Sequence, residues 1–118
     1  MNKQYELHEK NNYLIIEILV EKVDFFDTPD IAHEFEDIIE LKDFPNVIFD
    51  LNHITYIDSS GIGFLISIRN KLKNNKSELT TVCSNPDIIH IMELLKVPQF
   101  FKIFRNRQDA ENYFLNRD

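Results

Sequence analysis

The spacing of apolar and polar residues changes repeatedly along this chain, and the changes predict alternating strands and helices. Short runs rich in β-branched and aliphatic residues have the length and composition of strands. Five such runs are predicted as strands: 4–8, 13–20, 47–51, 78–83 and 101–104. The first two flank a polar, Asn-containing turn at residues 9–12, which predicts a β-hairpin.

The intervals between these runs carry the spacing of amphipathic helices. The segment 28–30 is a typical helix start, with Thr28 as N-cap and Pro29 at the first helical position. The apolar residues that follow recur at helical intervals and predict one buried face: Ile31, Phe35, Ile38 and Ile39. Three further helices are predicted: one after the glycines at 61 and 63, one from Asn85 to near Pro98, and one from Asn106 or Arg107 that buries Ala110, Tyr113 and Phe114.

This order of elements predicts the fold class. Strands separated by helices pair in parallel and carry helices on their faces, whereas a hairpin adds an antiparallel pair. A chain of 118 residues is long enough for one hydrophobic core. We therefore predict a single α/β domain over residues 1–118, with a mixed, mostly parallel sheet covered by about four helices.

Composition and charge exclude several classes of protein. The longest apolar runs are far shorter than the ~20 residues of a membrane span, and residues 1–6 lack the apolar stretch of a signal peptide. Cys83 is the only cysteine, so no internal disulfide forms, and we expect a cytoplasmic protein that binds no membrane.

The charge balance is acidic. The 20 acidic and 13 basic side chains leave a net charge of −7, and no basic stripe is present. Binding to nucleic acid depends on neutralising phosphates with Lys and Arg, so we expect no nucleic-acid partner. The acidic surface either steers the protein toward a basic protein patch or only keeps it soluble, and the composition leaves both readings open.

Both glycines of the chain lie in one short segment: Asp58-Ser59-Ser60-Gly61-Ile62-Gly63. It follows an apolar run and opens a predicted helix, so it places hydroxyls and free backbone N–H groups at a helix N-terminus, which favours anions. A serine here either caps the helix or contacts or accepts a phosphate, and shape alone favours neither. Asp58 is expected either to accept N–H bonds at the turn or to orient a hydroxyl or contact a partner residue.

With the preceding Ile54 to Ile57, this segment resembles the signature of the bacterial anti-sigma factor antagonists, the STAS domain family. That signature is an apolar strand followed by Asp-Ser-Ser/Thr-Gly-apolar-Gly and a helix. The resemblance continues downstream: residues 79–95 are similar to the family's next strand and Pro-started helix, and residues 100–104 to its last strand. The chain departs from the family in two places. Glu21 and Lys22 stand where a Gly is often found before the Val23-Asp24 pair, and residues 96–98 lack a Gly-containing turn.

The resemblance implies a binding module without enzymatic activity or cofactor, acting by partner switching. The unphosphorylated domain binds an anti-sigma factor that is also a Ser/Thr kinase, and this frees the sigma factor. The kinase then phosphorylates Ser60, which releases the domain, and a Ser/Thr phosphatase resets it. The partner-binding residues that the resemblance implies are Asp24, Asp58, Ser59, Gly61, Ile62 and Gly63. The free domain is expected to be a monomer.

An alternative function is a phospho-receiver domain phosphorylated on Asp50, which ends an apolar strand. Such a domain binds Mg²⁺ through further carboxylates, for which Asp24 and Asp27 are the candidates. Receivers begin strand–helix and place a lysine at the end of a late strand. Here the chain begins strand–strand, and Lys102 falls inside a strand, so the receiver is the less favoured alternative.

Other chemistry finds little support in the sequence. A phosphatase or transferase based on Cys83 would need an anion-binding loop after the cysteine, and none is present, so a buried apolar role is expected for Cys83. The histidines are widely separated and lack metal-ligand spacing: His8, His33, His53 and His90. We therefore predict no metal site and no catalytic residue.

Overall fold

Five strands form one sheet in the order in which they occur along the chain. The computed structural model describes residues 4–22 and 29–116. The strands are β1 (Tyr5–Glu9), β2 (Tyr13–Ile18), β3 (Asn46–Asp50), β4 (Leu79–Val82) and β5 (Lys102–Phe104). The helices are α1 (Pro29–Leu41), α2 (Ser59–Asn74), α3 (Pro86–Leu94) and α4 (Arg107–Leu115), with a 3₁₀ turn at Val97–Gln99.

The sheet is mixed, as the order of elements predicted. β1 and β2 pair antiparallel, and β2, β3, β4 and β5 pair in parallel. The register places Glu17 of β2 beside Asp50 of β3. Because parallel strands end at the same edge of a sheet, the loops after β3 and β4 lie at one edge, where α2 and α3 begin.

The two faces of the sheet carry different helices. Successive side chains of a strand point to opposite faces, so alternate residues of β2 and β3 enter two cores. The larger core joins Ile16 and Phe49 to residues of α1, α2 and α3. The smaller core joins Tyr13, Ile15 and Ile48 to residues of α4. α4 therefore covers its face of the sheet separately from the other three helices.

Three phenylalanine rings fix α1 and α2 onto the centre of the sheet. The ring of Phe49 lies 5.7 Å from that of Phe35 in α1 and 6.3 Å from that of Phe64 in α2, measured between centroids. Both contacts are edge-on, the geometry that aromatic quadrupoles favour. Since Phe64 directly follows Gly63, this packing fixes the position of the first turn of α2.

Two helix starts are confirmed and one helix end differs from the prediction. Asn85 and Asn106 are N-caps, and their side chains accept hydrogen bonds from the backbone N–H groups of Asp87 and Asp109. α3 ends at Leu94 rather than near Pro98, because Lys96 takes a left-handed conformation with φ 65° that breaks the helix. The predicted cap Thr28 lies outside the described residues.

Candidate functional site

The connection from β3 to α2 is held firmly on both sides. Ile54 and Ile57 are 1% and 2% exposed, so the segment is pinned to the core through its apolar side chains. The backbone N–H of Thr55 donates to the carbonyl of Glu21 at 2.6 Å, and that of Leu51 donates to the carbonyl of Val82 at 2.8 Å. The residues that follow are thus presented from a fixed base.

Asp58 is the N-cap of α2. Its backbone is extended, with φ −123° and ψ −174°, and its Oδ1 accepts the backbone N–H of Gly61 at 3.1 Å. The expectation that Asp58 accepts N–H bonds at this turn is confirmed, and the alternative of a serine cap is wrong. Since the cap comes from the aspartate, the serines of the motif are not needed for capping.

Ser59 and Ser60 are the first two residues of α2, and both are exposed. Across residues 4–22 and 29–116, neither hydroxyl makes a hydrogen bond. The N–H of Gly61 donates to the cap, and that of Ile62 donates to the carbonyl of Asp58 at 3.1 Å. Among the described residues, this leaves the N–H groups of the two serines as those of the first turn without an acceptor. A 16-residue helix has a positive N-terminal end, and exposed hydroxyls there are placed to carry or contact an anion.

The two glycines have ordinary helical conformations. Neither has a positive φ, so the backbone does not require glycine at either position. Gly61 is buried, and Gly63 is exposed. A Cβ built on Gly63 meets no atom within 4 Å. Glycine inside a helix costs about 0.5–1 kcal/mol relative to alanine, so the described fold gives no reason for glycine at position 63.

The other predicted partner-binding residues fall in different environments. Ile62 is 4% exposed and belongs to the core of its own chain, so little of its side chain is accessible to another protein. Asp24 lies outside the described residues. The motif therefore offers Ser59, Ser60 and Gly63 as its exposed residues, with Asp58 half-buried beside them.

Asp50 is part of an internal ion pair. It is 4% exposed, and its Oδ2 accepts from Nε and Nη2 of Arg107 at 3.0 and 2.9 Å. Its Oδ1 accepts the backbone N–H of Asn52 at 3.0 Å. Both oxygens are thus already engaged, one by α4 and one by the turn after β3.

The phospho-receiver interpretation of Asp50 is wrong. The described sheet begins with an antiparallel pair and follows the order β1-β2-β3-β4-β5, whereas the flavodoxin-like sheets of receivers are ordered 2-1-3-4-5. Lys102 is exposed at the start of β5 rather than placed at the end of a strand. The proposed magnesium ligands Asp24 and Asp27 lie outside the described residues.

Glu17 is surrounded by groups that are distant in sequence. Its Oε1 lies 3.0 Å from Nε2 of His8 and 3.3 Å from Nη2 of Arg107, and its Oε2 lies 3.1 Å from Nε2 of His53. The hydrogen bond with His8 lowers the pKa of Glu17 most, burial opposes it, and His53 and Arg107 lower it further. Histidine spacing along the chain did not reveal this cluster, because the strand register assembles it.

Cys83 is fully buried, as expected for an apolar role. Its Sγ approaches the carbonyl oxygen of Asn85 at 3.9 Å, and burial raises the pKa of the thiol. A raised pKa disfavours the thiolate, which is the nucleophilic form. This environment does not support a phosphatase or transferase mechanism at Cys83.

Comparison with known proteins decides the family. A family model described as the STAS domain matches residues 4–110. This chain belongs to the STAS domain family. Among the described residues, the STAS domain has no helix with both the length and the apolar character that crossing a bilayer requires.

Relatives and solved structures agree with this assignment. The anti-sigma F factor antagonist of Paenibacillus polymyxa is 24% identical over 111 residues, which are 93% of each chain. The crystal structure of an anti-sigma factor antagonist from Mycobacterium paratuberculosis has a TM-score of 0.80 at 15% identity, covering 95% of this chain and 93% of that one. The Bacillus cell fate determinant SpoIIAA in its phosphorylated form has a TM-score of 0.68 at 13% identity, covering 92% and 97%. The STAS domain thus has the fold of anti-sigma factor antagonists.

Proposed function

We propose that this STAS domain is an anti-sigma factor antagonist that binds its partner through the first turn of α2 and is released when Ser60 is phosphorylated. The observation that carries the proposal is an exposed serine hydroxyl in a first helical turn that Asp58 already caps. The relative described as an anti-sigma F factor antagonist supports it, as does the similar fold of a protein described in a phosphorylated form.

The fold tolerates a phosphate at this position. Phosphorylation adds about −1.5 to −2 charges and three acceptor oxygens, and the first-turn N–H groups and helix dipole favour that charge by about 0.3–1 kcal/mol. The Asp58 carboxylate is nearby, but one of its oxygens is bound to the Gly61 N–H, which offsets part of its repulsion. We expect the phosphorylated domain to keep its structure.

A docked partner does not tolerate the same group. The unphosphorylated turn presents small side chains at Ser59, Ser60 and Gly63, so a partner surface lies close against it. A phosphate there adds bulk and an unpaired charge next to Asp58, and unpaired buried charges at interfaces cost several kcal/mol. The switch then acts through local charge and shape, with little change in the backbone.

The partner in this proposal is an anti-sigma factor that is also a Ser/Thr kinase. It transfers the γ-phosphoryl group of ATP to the Ser60 oxygen, takes up the hydroxyl proton and releases ADP. The STAS domain itself needs neither cofactor nor catalytic residue, because the kinase supplies both. A Ser/Thr phosphatase restores the hydroxyl. We place this cycle in the cytoplasm, with the free domain as a monomer.

The test is phosphorylation by the kinase that binds the domain in extracts of the native cytoplasm. Wild type, Ser60→Ala and the matched control Ser59→Ala are incubated with purified kinase and ATP, and phosphosites are mapped by tandem mass spectrometry. We expect one stable phosphate on wild type and on Ser59→Ala, and none on Ser60→Ala. Phosphate found on Ser59, Thr55 or Asp50 would refute the assignment, and a base-labile product would indicate an acyl phosphate.

A further inference from the structure

A group of metal-ligating side chains lies on the sheet face that carries α4, away from the motif. Glu6 and Glu17 are register partners across β1 and β2, and His8 lies two residues from Glu6, so all three point to the same face. One ligand atom from each of Glu6, His8 and Glu17 lies within 4.8 Å of the others.

The separation of His8 and Glu17 suits a small cation, and a carboxylate oxygen of Glu6 lies within 4.8 Å of both ligand atoms. Tetrahedral zinc has bonds of about 2.0–2.2 Å to imidazole nitrogen and carboxylate oxygen, which places neighbouring ligand atoms about 3.3 Å apart. Nε2 of His8 is 3.0 Å from Oε1 of Glu17, so these two atoms need to separate by only a few tenths of an ångström. His53 lies on the other side of the same carboxylate, with its Nε2 3.1 Å from Oε2.

The local charge also favours a divalent ion. The guanidinium of Arg107 opposes the negative charge of three carboxylates, those of Glu6, Glu17 and Asp50. Its contact with Asp50, at 2.9 Å, is shorter than its contact with Glu17, at 3.3 Å. Three carboxylates against one guanidinium leave an excess of two negative charges when the histidines are neutral. The contact from Arg107 also orients Glu17, as second-layer hydrogen bonds do at metal sites.

We propose that Glu6, His8 and Glu17 bind a divalent transition-metal ion of the zinc type. Mixed imidazole and carboxylate donors select zinc-like ions, whereas Mg²⁺ and Ca²⁺ prefer oxygen alone. Glu6 is exposed, and His8 and Glu17 are half-buried, so an ion reaches the site from solvent. The metal site does not depend on the proposed function at Ser60.

The test is calorimetric titration of the full chain with ZnCl₂ alone, and separately with MgCl₂ alone, near neutral pH. Two variants remove ligands: His8→Gln, which keeps a hydrogen-bonding side chain, and Glu6→Gln, at an exposed strand position. His90→Gln is the matched control, because it removes an exposed imidazole from α3. Melting temperatures without metal verify that each variant is folded.

We expect one Zn²⁺ per chain with a Kd of about 10 μM or lower, and no saturable binding of Mg²⁺ over the same range. His8→Gln and Glu6→Gln should each weaken Zn²⁺ binding about 10-fold or more, whereas His90→Gln should stay within about 2-fold of wild type. Zn²⁺ should raise the melting temperature of wild type but not of His8→Gln. Wild-type affinity in both ligand variants, or no saturable Zn²⁺ binding to wild type, would overturn the proposal.

Discussion

The substitution Gly63→Ala separates the demands of folding from those of binding. The new methyl group meets no atom within 4 Å, so it strains nothing in the free domain. Alanine is favoured over glycine inside a helix by about 0.5–1 kcal/mol, because it restricts the unfolded chain. We therefore expect Gly63→Ala to be more stable by about that amount, which corresponds to roughly 2–6 °C in melting temperature for a domain of this size.

The same methyl group lies on the surface that we propose for docking. Overpacking a closely packed region typically costs about 1–3 kcal/mol, so the affinity for the kinase should fall about 5-fold or more. Thermal melting measures the stability of the free domain, and titration calorimetry measures its affinity for the kinase. Asn70→Ala is the matched control, since it also raises helix propensity at an exposed position of α2, about 10 Å further along the helix. The control also loses the hydrogen bond that Nη1 of Arg69 donates to Oδ1 of Asn70 at 2.9 Å, so it should gain less stability than Gly63→Ala, and it should bind normally.

The combination of results tests the reasoning. A domain that becomes more stable and binds its partner less well shows that glycine at position 63 serves the interface. Unchanged affinity for the kinase in Gly63→Ala would remove this turn from the docking surface. A loss of stability would contradict the open space found above Gly63.

Three further predictions follow from the same structure. Ser60→Asp should melt near the wild-type temperature but bind the kinase about 10-fold more weakly, or ~1.4 kcal/mol, by calorimetry, and wild-type affinity would contradict the switch. Asp58→Ala should lower the free energy of unfolding in urea by about 1 kcal/mol through loss of the cap, whereas Asp58→Asn should keep most of the wild-type stability. Equal stabilities of the two variants would show that the cap contributes little. Burial, then the hydrogen bond to Glu111, raises the pKa of Tyr13 to about 12. Because the folded state favours the neutral phenol, the contribution of Tyr13 to the free energy of unfolding is complete below pH ~10. It is lost between pH ~10 and 12, by up to ~3 kcal/mol. Urea midpoints across this range should fall less steeply for Tyr13→Phe, and identical slopes would exclude the effect.

Most of the fold could be predicted because its signals are local. Each described strand pairs with its neighbour in the chain, so once the strands were identified, the hairpin and the alternating helices predicted a mixed, mostly parallel sheet. The end of α3 was missed because Lys96 adopts a left-handed conformation without the usual glycine signal. Backbone geometry, not residue type, ends that helix.

Of the candidate functional residues, those in the contiguous motif could be predicted from the sequence, and those assembled by the fold could not. The motif was visible as contiguous residues, but its cap was ambiguous, because Asp and Ser are about equally good N-caps and the two possibilities differ by one position. The cluster around Glu17 could not be predicted. His53 is 36 positions from Glu17, and it meets that side chain only because the register sets Glu17 beside Asp50.

The chain-order sheet has a consequence for synthesis. A ribosome releases the strands in the order in which they pair, so each new strand finds its neighbour already present. α4 follows all five strands, and until it emerges Tyr13, Ile15 and Ile48 have no cover and Asp50 lacks its guanidinium. A product terminated after β5 would therefore present an apolar strip and an unpaired carboxylate, features that expose incomplete chains to chaperones and proteases.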